Sequence, residues 1–161
     1  MMVNKENLYN LKFILVIIFL VTVDVLSKSL ANSHLLFGQS SATFIPFIDL
    51  LLIYNSGIAF GIFDNSGDFV SNLLLTLTFI ITTYLIWLTI KETNNKNKIS
   101  LSLIASGAIG NVLDRINDGS VTDFLHLEIY NYSFFVFNLA DAFITIGAIL
   151  IIYFEIRRNT V

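Results

Sequence analysis

Four stretches of this chain, at about residues 12–30, 69–90, 99–116 and 137–156, are apolar over nearly the length needed to cross a bilayer. A helix spans the hydrocarbon core with about 20 mostly apolar residues. In lipid, each backbone N–H and C=O must be paired within the structure, which favours helices strongly over open irregular chain. The composition agrees: 55% of residues are hydrophobic, 13% are charged, and the mean hydropathy is +0.77. With 161 residues, the chain is expected to be a single integral membrane domain, 1–161, of the all-α class: a four-transmembrane-helix bundle. The third stretch, "ISLSLIASGAIGNVLDRI", is the least apolar and is rich in Ser, Ala and Gly. Small residues let helix backbones approach closely in membranes, so this helix is expected at the centre of the bundle.

The basic residues orient the bundle. Lys5 and Lys12 precede or open the first span, Lys91, Lys96 and Lys98 lie between the second and third, and Arg157 and Arg158 follow the fourth. The connections 31–68 and 117–136 contain no Lys or Arg. By the positive-inside rule, both termini face the cytoplasm and these two segments face outward. The outer segments are unusual loops. "FIPFIDLLLIYNSGIAFGIF" is apolar and broken by Pro46, Gly57 and Gly61, which suggests short strands lying against the bilayer surface. Asp118-Gly119 reads as a hairpin turn. The strand expected after it would place Val121, Asp123, Leu125 and Leu127 on one face. The first span has the look of a secretory signal peptide ending at Ala31, but Asp24 and Lys28 interrupt the pattern before that point. It is read as a retained span.

Other classes are excluded on composition. The absence of cysteine removes thiol catalysis and thiolate metal sites. His34 and His126 are far apart and form no zinc-binding spacing, so no metal is expected. No basic patch invites nucleic acid.

Five ionisable residues fall within or at the edge of spans: Asp24, Lys28, Asp114, Arg115 and Asp141. Such residues are costly in lipid and usually face the bundle interior. Asp24 and Lys28, at i and i+4, suit a structural ion pair. Asn111 neighbours both Asp114 and Arg115 on the helix, while Asp114 and Arg115 diverge. Asp141 has no cation close to it in sequence, and Asp123 sits on an apolar strand face. If the two are buried together they cannot both stay ionised cheaply, and one shared proton is the natural outcome. That state suits an aspartic peptidase dyad, with one carboxylate as base and one carboxyl as acid. The same carboxylates would equally suit the proton or ion site of a small proton-coupled transporter.

Five motifs then resemble one family in order. They are "DVLSK" at 24–28, "NSGIAFG" at 55–61, "SGAIGNVLDR" at 106–115, "GSVTDF" at 119–124 and "FNLADAF" at 137–143. The chain resembles bacterial lipoprotein signal peptidase (signal peptidase II), a membrane-embedded aspartic endopeptidase, over nearly its whole length. Two positions depart from the family pattern: Ile58 stands where Ala is usual, and Thr122 where an aliphatic residue is usual, which would add a hydroxyl beside the dyad.

The resemblance implies that Asp123 and Asp141 are the catalytic pair. It implies that Asn55, Gly57, Asn111, Asp114, Arg115, Asn138 and Ala140 line or brace the site. Asn55 or Asn111 would donate hydrogen bonds to substrate or to the developing oxyanion. The outer segments would form a small β-cradle. The implied substrates are prolipoproteins carrying a diacylglyceryl group, cleaved before the lipid-modified cysteine, with membrane lipid as surroundings. No cofactor and a monomeric state in the bacterial cytoplasmic (inner) membrane are implied as well, with the active site near the outer face.

Overall fold

The computed structural model describes residues 5–56, 67–130 and 132–159. Gly57 and Ile58 therefore lie outside the described residues. Four helices carry the fold: α1 (Lys5–His34), α2 (Gly67–Lys91), α3 (Asn95–Asp118) and α4 (Leu139–Asn159). Each contains a segment long and apolar enough to span a membrane. The helices overrun the expected spans. α1 continues through the 31–34 region, because Asn32, Ser33 and His34 have no helix breaker before Gly38.

α3 packs against all three other helices. Its buried face is built from Ser100, Ser102, Ala105, Ser106, Gly107 and Gly110. The serine hydroxyls donate to carbonyls one turn back, Ser102 to Lys98 at 2.7 Å and Ser106 to Ser102 at 2.6 Å, so their polarity is satisfied inside the helix. Gly107 lets α4 approach until a Cβ there would sit 2.2 Å from the Ala140 carbonyl oxygen. Lys98, counted among the loop charges between spans, is instead buried in α3. Its ammonium donates to Asn10 Oδ1 at 2.6 Å and to the Glu92 carbonyl at 2.9 Å, tying the end of α2 to α1.

Between the helices lies one antiparallel sheet, in the order β1 (Ser40–Ser41), β2 (Ile48–Asn55), β3 (Val121–Ile129), β4 (Tyr132–Phe137). This is the small sheet expected of the outer segments. The Asp118-Gly119 pair, however, does not turn a hairpin. Gly119 has φ 70° and its N–H bonds the Arg115 carbonyl, so it caps the C-terminus of α3. A left-handed glycine serves a helix cap as well as a hairpin turn, and the helix here reaches it first. The hairpin joining β3 to β4 turns at Tyr130, which has φ 50°.

Strand β3 departs from simple alternation at its start, where Val121, Thr122, Asp123 and Phe124 are all buried. It meets both α1 and α3, and its Phe124 packs into an apolar cluster with Leu52 of β2 and Ala31 of α1.

Candidate active site

The start of α4 is closed by its own side chains. Asn138 Oδ1 accepts the Asp141 N–H at 3.0 Å, and Asp141 Oδ2 accepts the Asn138 N–H at 3.3 Å. This is a reciprocal capping box, with Asn at the cap and Asp three residues on. It fixes the Asp141 carboxylate at the positive end of the helix. The other oxygen, Oδ1, accepts Asn111 Nδ2 of α3 at 2.9 Å.

Asn138 does a second job. Its Nδ2 donates to Asp123 Oδ1 at 2.6 Å, while Asn55 Nδ2, at the end of β2, donates to Asp123 Oδ2 at 3.0 Å. Asp123 is only 1% exposed, and Asn138 is fully buried. One asparagine thus holds both carboxylates, one by its side chain and one through the cap. Burial pushes the Asp123 carboxyl up to about 6. The hydrogen bond from Asn55 opposes this, the charge of Asp141 adds to it, and Asn138 and Lys28 oppose it.

A second layer surrounds the pair. The Lys28 ammonium meets Asp24 Oδ2 at 2.9 Å, Asn111 Oδ1 at 2.9 Å and Asp114 Oδ2 at 3.2 Å. Three acceptors match its three protons. Asp24 also accepts the Ala140 N–H at 2.9 Å through Oδ1, satisfying an orphan donor in the first turn of α4. Asp114 Oδ2 accepts the Thr122 N–H at 2.9 Å, beside Asp123. The Asp24–Lys28 ion pair expected from its spacing is present. It is also one contact from each end of the site: through Asn111 to Asp141, and through Ala140 to the turn that carries Asp141.

Every proposed site residue that the structure describes falls in or beside this network. The Arg115 guanidinium stands apart: among the described residues it forms no hydrogen bond or ion pair, although the charges of Asp123, Asp141 and Asp114 act on it. Together with Asn111 it lines a cavity of about 400 Å³ between α2, α3 and α4, otherwise walled largely by Ile81, Leu85, Ile104 and Ile144.

Asn55 and Asn111, either of which was expected to donate to substrate or to the oxyanion, each donate to one of the two acids. One expectation changes. The Thr122 hydroxyl does not lie beside the dyad. It accepts from Asn32 Nδ2 at 3.4 Å, because Thr122 and Asp123 are consecutive on a strand and point to opposite faces. The capping box itself was legible as N-x-x-D before an apolar run.

Fold and site together define the class: an integral membrane protein of four spans, built around two acids held by one asparagine where a sheet meets a helix start. The chain belongs to the signal peptidase II family of aspartic peptidases, whose model matches residues 16–157. It is similar to the lipoprotein signal peptidase of Pelagibacter ubique (strain HTCC1062), with 39% identity over 97% of this chain and 95% of that one. The lipoprotein signal peptidase of Polynucleobacter necessarius subsp. necessarius (strain STIR1) is 36% identical over 96% and 94% of the two chains. A solved structure described as a bacterial membrane enzyme superposes with a TM-score of 0.78 at 33% identity, covering 92% of this chain and 89% of that one. The transporter reading finds no support among these relatives.

Proposed function

We propose that this protein removes the signal peptides of lipid-modified prolipoproteins, cutting before the modified cysteine, with Asp123 and Asp141 as the catalytic pair. The observation that carries the reading is the joint hold of Asn138 on both acids. It links the two carboxyl groups through one side chain, an arrangement that suits the shared proton of a working aspartic peptidase. One carboxylate takes a proton from water, and the resulting hydroxide attacks the scissile carbonyl carbon. The protonated partner gives its proton to the carbonyl oxygen. The tetrahedral intermediate then collapses as the amide nitrogen is protonated and leaves. Asn55, Asn111 and Asn138 hold the acids in place. Lys28, Asp24, Asp114 and the Ala140 amide hold those asparagines and the α4 turn.

The cavity lined by Arg115 and Asn111 is apolar and adjoins the pair, which suits a substrate whose signal helix and acyl chains both lie in lipid. The distribution of Lys and Arg supports cytoplasmic termini and a site near the outer face, where water reaches the pair without crossing the membrane. The test replaces Asp123 or Asp141 by Asn, one at a time, in purified protein presented with a diacylglyceryl-modified prolipoprotein. Each change should abolish cleavage while the protein stays folded. Near-normal cleavage by either variant would end the assignment.

A further inference from the structure

On the other face of β3 from Asp123, a second polar cluster lies outside the peptidase site. Asp49 of β2 and His126 of β3 are directly paired across the sheet, and Glu128 follows His126 two residues on, so all three share one face. One ligand atom from each lies within 4.8 Å of those of the other two.

The histidine gives this cluster its meaning. His126 is only 4% exposed, and its Nδ1 has no hydrogen-bond partner. Its other ring nitrogen, Nε2, lies 2.7 Å from the Ser133 hydroxyl oxygen on β4. A ring that donates from Nε2 to Ser133 leaves a bare lone pair on Nδ1, facing Glu128 Oε2 at 3.6 Å. Three acceptors then face one another in a partly buried space, an arrangement that repels unless a cation lies between them. A metal-binding histidine typically has its second nitrogen held by a hydrogen bond, which fixes ring and tautomer, and Ser133 supplies that here. The 3.6 Å separation of Nδ1 and Oε2 is close to the spacing of about 3.3 Å between neighbouring ligands of a tetrahedral ion bound at ~2.0–2.1 Å.

We infer that Asp49, His126 and Glu128 form a binding site for a divalent transition cation of the zinc type, clamping β2 to β3. One imidazole nitrogen and two carboxylate oxygens suit such an ion better than the all-oxygen shell that calcium or magnesium takes. Histidine spacing could not reveal the site, because its ligands are one histidine and two acids drawn from two strands. The ion sits across the sheet from the acidic pair and takes no part in proteolysis. It fixes the register of the two strands that carry Asn55 and Asp123.

The test uses the full-length protein in detergent, stripped with chelator and titrated calorimetrically with Zn²⁺, with Mg²⁺ as control. The expected result is one Zn²⁺ per chain and a rise in melting temperature on binding. His126→Gln and Glu128→Gln should each weaken binding by at least about tenfold. Glu128 is partly exposed, so its variant tests the site even if the buried histidine variant folds poorly. No stoichiometric Zn²⁺ binding would overturn the site. Zn²⁺ binding undiminished in Glu128→Gln would overturn it equally.

Discussion

Asn138 and Asp123 are joined by a 2.6 Å hydrogen bond between two side chains that are almost wholly shut off from solvent. Because the same asparagine caps the helix carrying Asp141, the relative position of the two acids depends on one residue. Asn138→Ala removes the side-chain half of both contacts. The expected outcome is a fall in kcat of about 10²-fold or more, in the range usual for a lost preorganising donor, with a much smaller change in KM. Steady-state kinetics on a lipid-modified prolipoprotein peptide checks it, and a loss seen mainly in KM would contradict it.

The shared proton sets the pH dependence. The working pair carries one proton, and the Asp123 carboxyl is raised to about 6. kcat/KM should therefore fall as pH rises through about 6, as the free enzyme loses that proton. Bound substrate expels water and deepens burial, so the falling limb of kcat should lie at higher pH. A pH–rate series yields both limbs. A kcat/KM limb near the ordinary carboxylate range would refute the raised value.

The same shift is a stability term of known sign. A carboxyl raised from 3.8 to about 6 on folding favours the folded state at low pH, and the benefit is lost as pH rises from about 4 through 6. Two pH units correspond to about 3 kcal/mol. Asn at this position does not titrate, so the melting temperature of Asp123→Asn relative to the parent should rise between pH 4 and pH 7. Thermal unfolding in detergent at both pH values measures it, and a difference independent of pH would be the contrary result.

Lys28 is the cation on which two acids depend. Lys28→Met leaves Asp24 and Asp114 without it, and Asp24 is fully buried. Breaking a buried pair this way costs about 3–5 kcal/mol. Asp114→Asn, which leaves the Asp24 pair intact, should cost clearly less. Melting temperatures of the two variants provide the comparison.

Gly110 and Gly147 separate packing from positioning. A Cβ on Gly110 would lie 2.3 Å from Asp24 Oδ2, the carboxylate that holds the Ala140 amide. A Cβ on Gly147 would lie 2.6 Å from the Ser100 carbonyl, well along α4 from the acids. Both alanine variants should lose stability by about 1–3 kcal/mol, as overpacked sites do. Only Gly110→Ala should also lose kcat severely in the protein that remains folded, so the two are compared at equal folded concentration.

The features written in runs and periods were the readable ones. Four helices, a central α3 and a small sheet follow from hydrophobic length, small residues and alternation. Asp141 stood out because no cation lay near it in sequence, and Asp123 because it fell on an apolar strand face. What escaped depended on partners distant along the chain. The engagement of Asn55 and Asn111 by the acids needs β2, β3, α3 and α4 together, and Lys98 looked like a loop charge until Asn10 and Glu92 closed around it. Asp118-Gly119 misled because one left-handed glycine satisfies two different motifs, and only the length of α3 decides between them.

The polarity of α3 bears on how this protein is made. Its mean hydropathy as a span is 1.2, against 2.0 to 2.3 for the other three, and 44% of it is covered by protein. Alone in lipid it would expose Lys98, Ser100 and Asn111 to hydrocarbon, and its transfer from water is correspondingly weak. Its stable residence in the bilayer is therefore conferred by its neighbours. Biogenesis becomes an assembly problem, in which α1 is the docking surface on which the helix bearing Asn111 and Asp114 settles.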